Sequence, residues 1–410
     1  MYSLTLHRAP WIVPVTAPVI ADGAIAAGGG KIIDVGPAGE LRKKYPDAPV
    51  RDHEECALTP SLVNAHIHLE LSHLHIPHCR ESVNGFTDWI ATLLDLRGRH
   101  SADDAGVEAA ARRIMQQQHG SGVIALGDIG NTDLGLLLSR EFPGALLPFR
   151  EFLGRSVQTR RTVRERLERE PDGRLFTAHA PYSTHPELIQ SLKSRARRLG
   201  HPFPIHVAEP PSEGDLLSRG SGELYAFLRG RGFLDEAYRP PSGIDNSGSV
   251  RYLHSLGVLD RRTVCVHCIH VSPGEIEVLA ETGAGVCLCP GSNRYLQVGT
   301  APTDRFLQHG ILPALGTDSL ASNPELSVWR EMRILRENHP GIDPADIFAM
   351  ATLGGASALG LENSFGSLTP GNSTHFLAVP LKERIRSAPL LYEYLVGGNE
   401  QIQPTWAGIQ

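Results

Sequence analysis

The sequence predicts an α/β protein whose main body is a (β/α)8 TIM barrel, and three observations carry that expectation. A short apolar strand followed by a helix-compatible stretch recurs from about residue 58 to 360, the pattern of a parallel sheet with crossover helices. Eight such strands can be counted in the 410 residues, and eight units close naturally into a barrel. His and Asp residues collect at the carboxyl ends of those strands, where a barrel of this kind does its chemistry.

The strands, in order, are "LTPSLVNAH" (58–66), "GVIALGDI" (122–129), "GALLPFREF" (144–152), "GRLFTAHAP" (173–181), "FPIHVAE" (203–209), "TVCVHCIH" (263–270), "GVCLCPGS" (285–292) and "LPALGTDS" (312–319). Between them lie helix-compatible stretches such as 105–119, rich in Ala, Glu, Arg and Gln, and 186–200, which ends at Gly as helices often do. The flanks read differently. Residues 1–57 contain "PVIADGAIAAGGGKIIDVGP", apolar and small residues punctuated by Gly, which suggests short antiparallel strands and turns. Residues 362–410 resume that style, and neither flank can bury a core alone. The expected organisation is therefore a flank over 1–57, a barrel over 58–361 and a second flank over 362–410. Segment 240–250 is a loop by composition, in a position to help cover the site.

Composition excludes several classes. Hydrophobic content of 41% and charged content of 20% describe an ordinary globular protein. A formal charge of −6 without a long basic run argues against nucleic acid or an anionic membrane surface as partner. No secretory signal and no bilayer-spanning apolar stretch is evident, so the expected compartment is the cytoplasm. The spacing Cys265-x2-Cys268 with Cys287-x-Cys289 loosely imitates a zinc ribbon, but both pairs sit inside apolar strands, where free Cys behaves as a small hydrophobe. A small-molecule substrate is the expected partner, and a homodimer is one admissible assembly.

The chemistry begins at His66-Ile67-His68. Side chains alternate along a strand, so two His one residue apart offer two imidazoles to one metal ion. A lone His-x-His is weak in a chain with 19 His, and His73 with His75 makes a second one. What lifts the first pair is its company: His206, His267 and Asp318 each close a later apolar strand.

That ordered set resembles the metal-dependent amidohydrolase superfamily, in its deaminase and chlorohydrolase branch, over nearly the whole chain. Within the branch, "VNAHIHLELS", "HVAE", "CPGSNRYL", "GTDSLASNPELS" and "GSLTPGNSTHFLAV" look most like the aminodeoxyfutalosine deaminases of menaquinone biosynthesis. The resemblance implies that the two flanks combine into a small β-sandwich beside the barrel. It implies metal ligands His66, His68, His206 and Asp318. A binuclear site in this superfamily usually needs a carboxylated Lys at the fourth strand, and here Thr177-Ala178-His179-Ala180-Pro181 carries none, so one divalent ion is expected. Zinc is the expected ion and iron also suits the donor set.

By the same resemblance Glu209 is the proton shuttle from water to a ring nitrogen. His267 polarises the attacking hydroxide or stabilises the adduct, and Asp318 helps transfer a proton to the departing amine. His179 is placed against a purine ring, and Glu70 against a ribose or behind His68. A substrate bearing a benzoate calls for a cation, for which Arg150 and Arg155 are the candidates, ahead of Arg80 and Arg294. His73, His75, His78 and His270 are read as loop residues or as neighbours of ligands. The expected reaction is hydrolytic deamination of a purine nucleoside derivative. The alternatives are methylthioadenosine or S-adenosylhomocysteine, guanine, cytosine or a chlorotriazine as substrate, and, from another class, a non-catalytic scaffold. A deaminase of the His-x-Glu and Pro-Cys-x-x-Cys type is excluded because the second motif is missing.

Overall fold

The computed structural model describes residues 4–76, 85–99, 104–234, 238–240, 248–397 and 402–408. Five strands come first: β1 (Thr5–Ile12), β2 (Ile20–Gly28), β3 (Lys31–Pro37), β4 (Val50–Asp52) and β5 (Cys56–Pro60). Eight more follow: β6 (Leu62–Ile67), β7 (Val123–Gly130), β8 (Ala145–Phe152), β9 (Leu175–Ala178), β10 (Phe203–Val207), β11 (Thr263–His267), β12 (Gly285–Leu288) and β13 (Ala314–Leu315). The chain closes with β14 (Phe376–Pro380) and β15 (Thr405–Trp406).

The two flanks do meet. Their strands form one accessory sheet in the order β15-β14-β5-β1-β2-β3, with β4 on β1, while the helix Ala388–Gly397 of the second flank packs against the helices Val328–Asn338 and Pro344–Ala349. Alternation gives this sheet two apolar faces. Ile25 and Ala27 pack with Ile12, Leu58 and Phe376 on one face, and Ala24 and Ala26 pack with Leu6 and Leu41 on the other. Leu41 belongs to the helix Ala38–Lys44 that covers the second face.

One expected strand is two. The run over 58–66 breaks at Ser61: β5 pairs with β1 and β14 in the accessory sheet, while Leu62 N donates to Gly122 O and opens the barrel. The apolar run passes unbroken through both sheets, and Pro60, which cannot donate to a ladder, is the one local sign of the change.

Strands β6 to β9 and β10 to β13 form two parallel four-stranded sheets, and narrow seams join them into the barrel. At one seam His206 N donates to His179 O at 2.9 Å. At the other Thr317 N and Asp318 N donate to His66 O at 2.9 and 3.1 Å. Gly316 allows the second seam to close, since a Cβ there would lie 2.6 Å from His66 Cβ and 2.9 Å from His66 O. The barrel helices match their sequence signals. Gly200, at φ 70°, ends the helix Pro186–Leu199, and the helix over Ala105–Gly120 starts on the Asp104 cap. Ser327 caps the helix Val328–Asn338 by accepting from Arg330 N at 3.3 Å. Among the described residues no helix is long and apolar enough to cross a membrane, and the five described cysteines are all free.

Candidate metal centre and active site

The seams bring the strand-end residues to one point. His66 and His68 come from the end of β6, His206 from β10, His267 from β11, and Asp318 from just past β13. Potential ligand atoms of His66, His68 and His206 lie within 4.8 Å of one another, as do those of Glu209, His267 and Asp318. Asp318 Oδ1 is 3.7 Å from His66 Nε2 and 3.4 Å from His68 Nε2. Ala208, His267, Cys268 and Asp318 hold positive φ values of 53°, 72°, 47° and 60°. Non-glycine residues adopt that backbone only where their surroundings impose it, and functional sites are where such strain concentrates.

Hydrogen bonds choose which ring nitrogen faces inward. His68 Nδ1 donates to Ile129 O at 3.0 Å and His206 Nδ1 to His179 O at 2.9 Å, which leaves both Nε2 lone pairs for the centre. His66 is fully buried, yet neither of its ring nitrogens has a hydrogen-bond partner. Burial lowers its pKa to about 4, and burial, then the His179 charge, holds His206 well below the imidazole range. Neutral buried imidazoles with unshared lone pairs are what a divalent cation needs. The residues therefore fit one divalent ion held by His66, His68, His206 and Asp318.

Glu209 is buried three residues past His206, with Oε1 3.6 Å from His267 Nε2. Burial and, next, the Asp318 charge push its carboxyl well above the carboxylate range. Burial also pushes Asp318 up, but its contact with His66 and the charges of His68 and His267 outweigh that and hold it well below. Two neighbouring carboxyls with opposite shifts suit different roles, a raised one being placed to take up and return a proton and a lowered one to face a cation.

These residues floor a cavity of about 300 Å³. His179 stands on its wall with Nδ1 2.6 Å from Ser183 Oγ, its second nitrogen left over. An apolar wall is built from Phe86, Trp89, Ile90 and Leu93 of the helix Gly85–Arg97, faced by Phe227 and Phe233.

Several expected contacts fall elsewhere. Arg150 does not reach the cavity. In β8, Ala145, Leu147 and Phe149 pack into the barrel-interior cluster while Leu146 and Phe152 pack into the helix-side cluster, so Arg150 points outward and pairs with Asp133 at 3.1 Å. Its neighbour Glu151 takes the inward place and lines the cavity. Glu70 lines it too, but its carboxylate is already engaged, accepting from Arg97 Nη2 at 2.8 Å and from Asn131 N, Thr132 N and Thr132 Oγ1. Nor does Glu70 orient His68, which Ile129 O does. Arg155 does line the cavity. Arg294 is spent on the surface with Glu337 and Asn338. His270 Nε2 lies 2.7 Å from Val298 O, outside the centre. Arg80 and His78, with 241–247 of the expected covering loop, lie outside the described residues.

Sequence reasoning missed Arg97, Asn131 and Glu151. Arg97 and Asn131 belong to no motif, and only the fold brings them to the wall. Glu151 had a signal: the apolar residues 145, 147 and 149 share its parity.

A barrel with these imidazoles and carboxyls at its strand ends defines a hydrolase with a metal-binding centre. The chain belongs to the amidohydrolase family, which residues 57–408 match, and is an enzyme of the kind that acts on C–N bonds. Residues 23–48 also match an imidazolonepropionase-like composite domain of bacteria. Aminodeoxyfutalosine deaminase of Deinococcus radiodurans is 32% identical over 358 residues, 84% of this chain and 82% of the relative. A 5-methylthioadenosine/S-adenosylhomocysteine deaminase of Nitratidesulfovibrio vulgaris is 29% identical over 86% of this chain and 78% of its own length. Among solved structures, Helicobacter pylori aminofutalosine deaminase in complex with methylthio-coformycin superposes with a TM-score of 0.80 at 21% identity, covering 98% of this chain and 100% of that one. A zinc-bound adenosine deaminase from Xanthomonas campestris gives a TM-score of 0.75 at 21% identity, covering 98% and 90%.

Proposed function

We propose that this enzyme hydrolytically deaminates a 6-aminopurine nucleoside carrying an aromatic carboxylate, aminodeoxyfutalosine, in the menaquinone pathway of the cytoplasm, with one zinc ion at the centre. The observation that carries the chemistry is the placement of Glu209, a buried carboxyl three residues past His206 with Oε1 3.6 Å from His267 Nε2. The name of the Deinococcus relative supports the substrate.

His66, His68, His206 and Asp318 would hold the ion. When bound, it supplies Lewis acidity, drawing the pKa of a coordinated water from 15.7 towards about 7. Glu209 takes one proton of the attacking water at a carboxyl oxygen and delivers it to the ring nitrogen, which makes the adjacent carbon electrophilic. The water oxygen bonds to that carbon. His267 stands beside the adduct and stabilises it, and Asp318 carries the hydroxyl proton to the departing amine. The C–N bond breaks, ammonia leaves and a carbonyl remains. His179 holds the purine edge through its free ring nitrogen.

Arg155 suits the carboxylate end. Its Nη1 donates to the carbonyls of Pro181, Tyr182 and Thr184, at 3.0 to 3.4 Å, and its guanidinium lies 4.9 Å from the Tyr238 ring. No carboxylate pairs with it among the described residues, whereas Arg97 on the same wall is neutralised by Glu70. A second reading, 5-methylthioadenosine or S-adenosylhomocysteine as substrate, draws on the Nitratidesulfovibrio relative and the same apolar wall.

Ammonia release from aminodeoxyfutalosine, methylthioadenosine, S-adenosylhomocysteine and adenosine, compared as kcat/KM, tests both levels. The benzoate-bearing substrate is expected to lead. If it shows no advantage the substrate reading fails, and if no 6-aminopurine releases ammonia the deaminase reading fails.

A further inference from the structure

Among the described residues, the segment that follows β12 puts no side chain on the cavity wall, yet it grips two residues that do. Ser292 Oγ donates to Asp318 Oδ2 at 2.6 Å. The next residue, Asn293, accepts at Oδ1 from His267 Nδ1 at 3.1 Å. One reaches forward to the end of β13 and the other back to the end of β11, and both are buried. We propose that Ser292 and Asn293 form a two-way positioning device: Ser292 decides which Asp318 oxygen faces the ion, and Asn293 decides which nitrogen of His267 faces the reaction. This inference rests on the ligand set given above.

A carboxylate free to turn presents either oxygen. Asp318 Oδ2 accepts from two hydroxyls, Ser292 Oγ and Ser322 Oγ at 2.8 Å, so it is filled and Oδ1 is left toward His66 and His68. Groups that fix a ligand this way commonly govern ion affinity. The Asn293 amide oxygen can only accept, so His267 carries its hydrogen on Nδ1 and turns the Nε2 lone pair toward Glu209.

The device is held from behind. Gly291 N donates to Glu331 Oε2 at 2.6 Å, and Asn323 Nδ2 donates to Glu331 Oε1 at 2.8 Å and to Thr317 O at 2.9 Å. A Cβ on residue 291 would sit 2.4 Å from Glu331 Oε1. The sequence motifs "CPGSN" and "GTDSLASNPELS" thus become one buried network.

The test measures Zn2+ affinity by chelator competition, together with kcat and KM for ammonia release in saturating Zn2+, on folded full-length variants. Ser292→Ala is expected to weaken Zn2+ binding about 10- to 100-fold, while Ser292→Thr, which keeps the hydroxyl, holds Zn2+ as the unaltered protein does. Asn293→Leu is expected to leave Zn2+ affinity within about threefold and KM unchanged while kcat falls about tenfold or more, and Asn293→Asp restores most of kcat. Ser292→Ala binding Zn2+ at full affinity overturns the proposal. So does Asn293→Leu losing Zn2+ and kcat together, the mark of general disruption. If Ser292→Ala or Asn293→Leu does not fold, the conservative pair decides: loss of Zn2+ in Ser292→Thr, or of kcat in Asn293→Asp, overturns it. An unaltered protein that binds no Zn2+ contradicts the ligand set instead.

Discussion

His66 and Asp318 meet twice: Asp318 N donates to His66 O at 3.1 Å, and Asp318 Oδ1 lies 3.7 Å from His66 Nε2. The backbone contact closes the barrel and the side-chain contact builds the candidate metal centre, so closure and site are one structure. Gly316 is the residue that permits the approach. Gly316→Ala is expected to cost about 1–3 kcal/mol, as overpacking in a tight interior does, and to reduce bound metal at the same time. Thermal unfolding and elemental analysis on one preparation check this. A variant that loses stability but keeps full metal content would show that seam and site are independent.

Arg155 and Arg150 separate cleanly. A charge-assisted hydrogen bond contributes about 1.5–3 kcal/mol, so Arg155→Met should lower the ratio of kcat/KM for aminodeoxyfutalosine over adenosine by about tenfold or more. Arg150→Ala, on the outer face of β8 with Asp133, should leave that ratio unaltered. An unchanged ratio in the Arg155 variant places the carboxylate contact elsewhere.

The accessory sheet carries a pH dependence of its own. His7 is buried, stacked on His53 at 5.4 Å and edge-on to Phe376 at 5.2 Å. Burial first, then the charges of His53 and Arg51, lower its pKa from 6.5 to about 4. Between those values the unfolded chain binds the proton and the folded one does not, so this stability is fully present above pH 6.5 and is lost as pH falls toward 4. His7→Phe removes that titration. The fall in Tm from pH 7.5 to 4.5 should be smaller in the variant than in the unaltered protein. An equal fall excludes His7 as a source of the acid sensitivity.

What was legible in the sequence was what local chemistry writes into it. Buried parallel strands read as apolar runs, and a His or Asp closing such a run stands out. His66, His68, His206, Glu209, His267 and Asp318 were all singled out this way or by the motif around them, and the fold brings all six together. Residues whose importance comes from tertiary placement were silent. Arg97 ends a helix that no signal distinguished, and Asn131 acts through a contact with Glu151, 20 residues away. Charge alone points to Arg150, whereas strand parity turns Arg150 outward and Glu151 inward. The run across Ser61 looked like one strand because both sheets ask for the same apolar residues.

Glu209→Gln tests the central claim most directly. Glutamine keeps the shape of Glu209 but can neither take a proton from water nor return one. Measured as kcat for ammonia release beside metal content, the variant should retain the ion and lose about 10²- to 10⁴-fold in rate. A Glu209→Gln protein that keeps its metal and deaminates within tenfold of the unaltered enzyme would contradict the assignment of Glu209 as the proton carrier.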